Sequence, residues 1–349
     1  MTSIPEQQSA TSNPEHLGRI VEAQATLNPD NEALISPGLE PLTFGQLQQL
    51  IDSTENQLRE FGVKPWHRVG IVLPNSSAMA ALSLCLMNYC SLVPLNPGYS
   101  QREFEYFYSQ IGVDILIAPA DDQLACVVTA TKQQILVIDF RPSERESGQF
   151  LLKFPETKPS PASRSGENEA GYPLILHTSG STANPKIVPL SHANILASVD
   201  NLVASLQLSD KDRCLNMMPL FHVGALVDLL LSPLSAGGSV VVTEKISGAD
   251  FLDCLQSYQP SWYQAVPTML KDVVTTIKSR PDLLPEKMPL RLVRSVSSAL
   301  PNRLLHEVES LLDSVVIEIY GMTETSGLIC SNPLEPGRQK QGSVGTPQG

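Results

Sequence analysis

Short apolar runs with strand character alternate with amphipathic runs of helical spacing along this chain, and no other feature restricts its fold as much. In the first part, strand-like runs at residues 68–73, 92–95, 114–118 and 135–140 are separated by helix-like runs that include 42–61 and 101–110. This order is typical of a sheet with parallel strands covered by helices. We therefore predict an α/β fold.

The same alternation returns after a polar, proline-rich stretch. Strand-like runs at 172–177, 214–218, 239–242, 262–266, 292–296 and 315–319 are interleaved with helix-like runs, among them 223–231, 250–258 and 302–312. The predicted architecture is two lobes of parallel or mixed sheet flanked by helices. A disordered tail at 1–15 precedes a first lobe at 16–140, and a linker or surface loop at 141–170 leads to a second lobe at 171–349.

The composition excludes several classes of protein. With 36 acidic and 24 basic side chains, the chain repels nucleic acid and anionic membrane surfaces, so we predict no nucleic-acid partner. Residues 69–101 carry no charged side chain, but prolines and asparagines divide them, so we expect a buried core segment and no membrane span. The six cysteines are scattered without a CxxC pair, which predicts reduced thiols. The polar N-terminus does not resemble a secretory signal, so we predict a cytoplasmic location.

A hydroxyl-rich segment follows the strand-like run 172–177 and is suited to bind phosphate. A polyanion requires several small donors, a backbone free of bulky side chains and a compact cation. The candidate residues are Thr178, Ser179, Gly180, Ser181, Thr182 and Lys186. The alternative is a surface turn, which uses the same residue types. The segment is not a Walker A loop, because no glycine precedes Lys186 and an apolar segment follows it.

Three other predicted strands also end in small or polar residues. His222 lies in PLFH after the run 214–218, SSALP follows 292–296, and YGMTET follows 315–319. Ligands collect at the carboxyl ends of strands in open α/β sheets. We therefore expect these segments and the hydroxyl-rich segment to form one site.

Four segments, HTSGSTANPK, PLFHVGALV, RSVSSALP and YGMTETSG, resemble in order and spacing the signature motifs of the acyl-adenylate-forming, AMP-binding superfamily. The resemblance implies a two-step reaction, in which a carboxylate attacks the α-phosphate of ATP to give acyl-AMP and pyrophosphate, and a thiol then displaces AMP. It also implies ATP or AMP and Mg²⁺ as cofactors, CoA or phosphopantetheine as the thiol, and a small-molecule carboxylic acid as substrate.

The resemblance implies a role for each matching residue. The hydroxyl-rich segment and Lys186 would hold the β- and γ-phosphates, and Glu324 would bind Mg²⁺ with Thr182. The remaining assignments are Thr323 at the α-phosphate, Tyr320 and Gly321 at adenine, Ser297, Ser298 and Ala299 at the adenine and acyl boundary, and His222 beside the acyl carboxylate. Each has a structural alternative, since Tyr320 and His222 could be packed core residues and Glu324 a solvated side chain.

The chain departs from the pattern of this superfamily in two respects. Ala183 stands where glycine is usual, and Ile187 stands where glycine often follows the lysine. The superfamily also has a ribose-binding aspartate, a hinge and a small lid domain with a lysine beyond the YGxTE motif, and residues 325–349 are too few to hold them. We therefore expect an N-terminal core whose C-terminal lid domain is absent, and which adenylates poorly by itself.

Details of sequence distinguish between branches of the superfamily. The segments PLNPGYSQREFEYF and MTETSGLICSNPLEPG are closest to small-acid acyl-CoA synthetases of the oxalate-CoA ligase type. An acid–thiol ligase that transfers the acyl group to CoA is therefore the predicted function. The alternative is an adenylation domain that loads a phosphopantetheine carrier, as in non-ribosomal peptide synthetases, with a carrier domain or the missing lid as partner. A non-catalytic nucleotide- or acyl-binding module is the alternative from another class.

Overall fold

A computed structural model describes residues 16–159, 171–178, 185–334, 337 and 340–348. The helices are α1 (Arg19–Leu27), α2 (Phe44–Phe61), α3 (Ser77–Tyr89), α4 (Gln101–Ile111), α5 (Ala125–Lys132), α6 (His192–Leu206), α7 (Ser232–Ser235), α8 (Gly248–Tyr258), α9 (Pro267–Ser279) and α10 (Asn302–Leu312). A π-helix spans Gly224–Leu231, and 3₁₀ turns span Pro281–Leu283 and Thr323–Thr325.

The strands form two sheets. Their bounds are β1 (Glu32–Ile35), β2 (Leu42–Thr43), β3 (Arg68–Ile71), β4 (Ser91–Pro94), β5 (Ile115–Ala118), β6 (Leu136–Pro142), β7 (Phe150–Lys153), β8 (Leu174–Thr178), β9 (Lys186–Leu190), β10 (Arg213–Asn216), β11 (Ser239–Val242), β12 (Trp262–Ala265), β13 (Leu292–Ser295), β14 (Val315–Met322), β15 (Gly327–Ser331) and β16 (Thr346–Pro347). One sheet has the order β16-β15-β14-β13-β12-β10-β11-β1-β2, and the other has the order β7-β6-β5-β3-β4-β8-β9. Both have parallel centres and antiparallel edges, so the predicted α/β fold with mixed sheets is confirmed.

Capping residues set where the helices begin. The hydroxyl of Thr43 accepts the N–H of Gln46, whose side chain in turn accepts the N–H of Thr43, so α2 begins with a capping box. The helix ends at Gly62, which has a φ of +106°, a conformation that glycine adopts without strain. Ser191 and Asn194 form the same capping box at the start of α6.

Helix α3 is the centre of the apolar core. All 13 of its residues are buried, and it packs against β4 of the seven-stranded sheet and against β1 and β11 of the nine-stranded sheet. Its position between two sheets explains why residues 77–89 carry no charge, since an ion there would have to be desolvated. Among the described helices, none combines the length and the apolar character that a membrane crossing requires.

The two sheets do not follow the predicted lobe boundaries. Residues 141–153, predicted as part of a linker, include the end of β6 and all of β7, which pair antiparallel at a sheet edge. Strands β8 and β9 join the seven-stranded sheet, and β1 and β2 join the nine-stranded sheet, because pairings of β4 with β8 and of β1 with β11 connect distant parts of the chain. The predicted tail at 1–15 and residues 160–170 of the predicted linker lie outside the described residues.

Candidate functional site

The hydroxyl-rich segment begins and ends on a β-hairpin. Strands β8 and β9 pair antiparallel, and Thr178 lies directly opposite Lys186. Residues opposite one another in such a pair have Cα atoms about 4.5–5.5 Å apart, so the two described ends of the segment are neighbours. Lys186 is exposed and Thr178 is half-buried. The predicted donors Ser179, Gly180, Ser181 and Thr182 lie outside the described residues.

The turn Thr323–Thr325 lies against this hairpin. Cα atoms of the turn lie within 8 Å of Cα atoms in both β8 and β9. The fold therefore brings the segment around Thr323 and Glu324 next to the hairpin that carries Thr178 and Lys186, although they belong to different sheets. Glu324 is exposed, so its carboxylate is available to a ligand.

Hydrogen bonds and two glycines fix the position of this turn. The hydroxyl of Ser198 in α6 donates to the carbonyl of Ser326 at 2.9 Å. A Cβ atom at Gly321 would lie 2.2 Å from the carbonyl oxygen of Gly327, and Gly327 itself has a φ of +116°. Since both values exclude larger residues, the turn depends on glycine at these two positions.

The predicted adenine side lies at the ends of the neighbouring strands β13 and β14. These strands are parallel, with Ser295 opposite Glu318, so Ser297, Ser298 and Ala299 continue beyond β13 close to Tyr320. All three residues of that loop are exposed, and Tyr320 is 50% exposed. An aromatic ring with half of its surface open argues against the alternative of a packed core residue.

His222 lies in the connection between β10 and the π-helix. Its backbone N–H donates to the carbonyl of Pro219 at 3.1 Å, and its exposed side chain contacts Phe221 with 4.6 Å between ring centroids. Asn75, which follows β3 of the seven-stranded sheet, stabilises this connection. Its side-chain oxygen accepts the N–H of Leu220 at 2.9 Å. Exposure of His222 also argues against the packed-core alternative.

His177, which precedes Thr178 in β8, was not among the residues predicted for the site. His177 Nε2 lies 2.7 Å from the hydroxyl of Tyr99, and its ring packs against Phe107 with 4.2 Å between centroids. Burial, with a smaller contribution from the nearby His222, lowers the pKa of His177 to about 4. His177 is therefore neutral near pH 7.

This lowered pKa predicts acid sensitivity. Between the unfolded pKa of 6.5 and about 4, the unfolded chain binds a proton that folded His177 does not, so the unfolding free energy falls as the pH falls. At pH 5 the loss should be about 2 kcal/mol. Urea unfolding at pH 7 and pH 5 should show a smaller pH difference for His177→Gln than for wild type. The exposed His306→Gln serves as control, and an undiminished pH difference in His177→Gln would contradict the assignment.

A buried cluster of three polar side chains lies below the turn Thr323–Thr325, and none of the three was predicted from the sequence. Arg294 Nη1 lies 3.3 Å from Asp228 Oδ2, and Gln264 Nε2 donates to the same oxygen at 3.2 Å. Arg294 and Gln264 are fully buried, and Asp228 is 3% exposed. A Cβ atom on Gly327 would approach Asp228 Oδ1 to 2.8 Å, so the cluster directly contacts the base of the turn.

Burial acts on both charges of this cluster. It raises the pKa of Asp228 and lowers the pKa of Arg294, while the attraction between the two groups opposes both shifts. Arg294 Nε, Arg294 Nη2 and Asp228 Oδ1 have no hydrogen-bond partner. Desolvation of these two charges costs free energy, and removal of either partner would leave the other charge buried without compensation.

The turn Thr323–Thr325 offers one carboxylate that could bind Mg²⁺. Among the described residues, no group of three acidic, histidine or cysteine side chains could hold a metal ion. Mg²⁺ is commonly held by one or two carboxylates together with substrate phosphates and water. Glu324, an exposed carboxylate beside the hairpin, fits that type of binding.

Comparison with known proteins identifies the family. The profile of the family described as AMP-binding enzyme matches residues 21–349. The chain belongs to this family. The family membership predicted from the four segments is thereby confirmed, and the match extends over both sheets of this AMP-binding protein.

Individual relatives agree with the family match. An oxalate–CoA ligase from Arabidopsis thaliana is 32% identical over 339 residues, which cover 95% of this chain and 66% of the relative. A sulfoacetate–CoA ligase from Cupriavidus necator is 29% identical, with 95% of this chain and 64% of the relative covered. The chain thus spans just under two thirds of the length of these curated relatives.

Solved structures share the fold. O-succinylbenzoate coenzyme A synthetase from Bacillus subtilis, in complex with AMP, superimposes with a TM-score of 0.74. The alignment covers 94% of this chain and 80% of that structure at 23% sequence identity. The two proteins therefore share a fold.

Proposed function

We propose that this AMP-binding protein provides the N-terminal core of a ligase that activates a carboxylic acid with ATP as acyl-AMP and transfers the acyl group to the thiol of CoA. The observation that carries the proposal is the contact of the turn Thr323–Thr325 with the hairpin of Thr178 and Lys186. The contact supports the proposal because it brings the segment of Glu324 next to the end of the hairpin that carries Thr178 and Lys186. This region lies at the carboxyl end of β8, and α/β folds bind ligands at the carboxyl ends of strands.

Each side chain then takes part in holding the nucleotide. Lys186 and the hydroxyl of Thr178, with Ser179 to Thr182 beyond it, bind the β- and γ-phosphates. Thr323 binds the α-phosphate. Tyr320 stacks on the adenine ring beside Gly321, and Ser297, Ser298 and Ala299 line the boundary between adenine and the acyl group. The exposure of Tyr320 and of residues 297–299 supports these contacts.

The chemical step is an exchange of bonds at the α-phosphorus. An oxygen of the substrate carboxylate forms a bond to phosphorus, the anhydride bond to the β-phosphate breaks, and pyrophosphate leaves with the electron pair. His222 orients the attacking carboxylate, and donors fixed beforehand stabilise the negative charge that develops on the phosphoryl oxygens. The thiol of CoA then attacks the acyl carbon, and AMP leaves.

Glu324 would hold Mg²⁺, with the hydroxyl of Thr182 as a second ligand. The ion, when bound, offsets negative charge on the phosphate chain. Glu324 fits this role because it is exposed at the turn and the turn borders the hairpin.

The relatives support a small acid as substrate and CoA as acceptor. Both curated relatives described above are named as CoA ligases, of oxalate and of sulfoacetate, and this favours CoA over a carrier domain. We also propose a cytoplasmic location. Its support is that the cysteines are unpaired, with Cys85, Cys90, Cys126, Cys214 and Cys254 buried, as in proteins of reducing compartments.

Calorimetric titration with ATP and AMP tests the nucleotide site. Wild type should bind both, and Lys186→Met should weaken ATP binding by about 10- to 100-fold, since a hydrogen bond to a charged group contributes ~1.5–3 kcal/mol. AMP binding should change little, because AMP lacks the β- and γ-phosphates that Lys186 is proposed to hold. Lys211→Met, at another exposed lysine, is the control. Absence of ATP and AMP binding in wild type would contradict the proposed function.

A further inference from the structure

We propose that Glu318 is a positioning residue of the nucleotide site, which holds the loop Ser297–Ala299 at the place where it meets adenine. The inference rests on the proposed function, because it concerns the same site. Glu318 lies in β14, two residues before Tyr320, and it is only 7% exposed. It therefore belongs to the strand that carries the exposed aromatic ring but cannot itself reach a ligand.

The carboxylate of Glu318 connects two separate segments. One oxygen accepts the backbone N–H of Leu300 at 3.2 Å, and the other accepts the backbone N–H of Gly342 at 3.1 Å. Hydrogen bonds to a buried carboxylate are charge-assisted and stronger than those between neutral groups. An apolar side chain at this position would fill space but would leave both N–H groups without a partner.

The loop Ser297–Ala299 is short and is held at both ends. At its start, the N–H of Val296 donates to the carbonyl of Ala265 at 3.1 Å. Ser297 then adopts a left-handed conformation with a φ of +70°, which is unfavourable for a residue other than glycine. Within the loop, the N–H of Ser298 donates to the carbonyl of Val296 at 2.9 Å, and at its other end the N–H of Leu300 donates to Glu318. The bond to Glu318 is thus the side-chain contact that joins the end of this strained loop to β14.

Packing alone does not fix the carboxylate. A cavity of about 150 Å³ lies beside Glu318, lined also by Asn332, Lys340 and Gln341. Side chains beside a cavity have room to change rotamer, so the position of the carboxylate depends on its hydrogen bonds. The backbone carbonyl of Glu318 also accepts the N–H of Asn332 at 3.3 Å, and the side-chain oxygen of Asn332 accepts the N–H of Lys340 at 3.4 Å. Asn332 thereby joins the segment that begins at Lys340 to the same strand.

Comparison of AMP with tripolyphosphate, which lacks adenine, distinguishes a positioning role of Glu318 from a general structural role. Glu318→Ala should weaken AMP binding about tenfold, because loss of a buried charge-assisted hydrogen bond frees the loop that borders adenine. Tripolyphosphate, which has no adenine, should bind within about twofold of wild type, since distant sites respond independently. The near-isosteric Glu318→Gln should show the same selectivity with a smaller effect, and it keeps the test valid if the alanine variant does not fold.

Glu309→Gln is the matched control. Glu309 lines the same cavity and is paired with His306, but it makes no hydrogen bond to the loop, so AMP affinity should stay at the wild-type value. Equal weakening of AMP and tripolyphosphate binding by Glu318→Gln, or no weakening of either, would overturn the inference. Failure of wild type to bind AMP would instead contradict the proposed function, and with it this inference, so the two failures are distinguishable.

Discussion

Replacement of Glu324 by glutamine should lower ATP–pyrophosphate exchange by about 10²- to 10³-fold, the size of effect seen when one preorganised stabiliser of developing charge is removed. The exposed carboxylate at the turn is the proposed ligand of Mg²⁺, and a neutral amide is a much weaker ligand for a hard cation. The substitution changes the side-chain volume little, so the turn held by Ser198 should keep its position. Dependence of ATP binding on Mg²⁺, followed by calorimetry, should be lost together with the exchange.

Glu286→Gln is the control for this experiment. Glu286 is an exposed carboxylate in the connection before β13, at the opposite end of the strands from the turn, and its neutralisation changes the net charge by the same amount. Exchange and Mg²⁺ dependence should remain as in wild type. Retention of Mg²⁺-dependent ATP binding by Glu324→Gln would show that the metal is held elsewhere.

Loss of the buried ion pair should cost far more stability than loss of a surface pair. Arg294→Met leaves the carboxylate of Asp228 buried without its cation, and removal of one partner of a buried pair destabilises proteins by about 3–5 kcal/mol. Replacement of both partners, in Asp228→Leu with Arg294→Met, should recover much of this loss because no uncompensated charge remains. Urea unfolding of the two single variants and of the double variant measures the coupling.

A surface pair provides the comparison. Arg303 is 90% exposed at its side chain and bonds Glu307 one turn along α10, so Arg303→Met should cost about 0–1 kcal/mol. If Arg294→Met is no more destabilising than Arg303→Met, the buried cluster does not depend on its charge balance.

Local features of the fold could be predicted from the sequence because neighbouring residues determine them. Helix α10 was predicted at 302–312 and lies at Asn302–Leu312, and the caps at Thr43 and Ser191 form as their residue types indicate. The π-helical geometry of Gly224–Leu231 was not predicted, because its apolar residues give the pattern of an ordinary helix. Period and capping thus specify where an element lies, but not every detail of its backbone.

Features that join distant residues could not be predicted in this way. Asp228, Gln264 and Arg294 lie on three different elements, and nothing in the local pattern around any of them indicates the others. The same holds for the assignment of β1 to one sheet and β8 to the other, and for the bonds of Glu318 to Leu300 and Gly342. The motif positions at strand ends were accessible because a general rule of α/β sheets connects them.

The hairpin with Lys186 and the turn with Glu324 belong to different sheets, and this division has a thermodynamic consequence. A triphosphate that contacted both Lys186 and Glu324, as proposed, would connect the two sheets. Nucleotide binding and the relative position of the two sheets would then be coupled. A change that shifts one sheet against the other would weaken nucleotide binding, and bound nucleotide would oppose that shift by the same free energy.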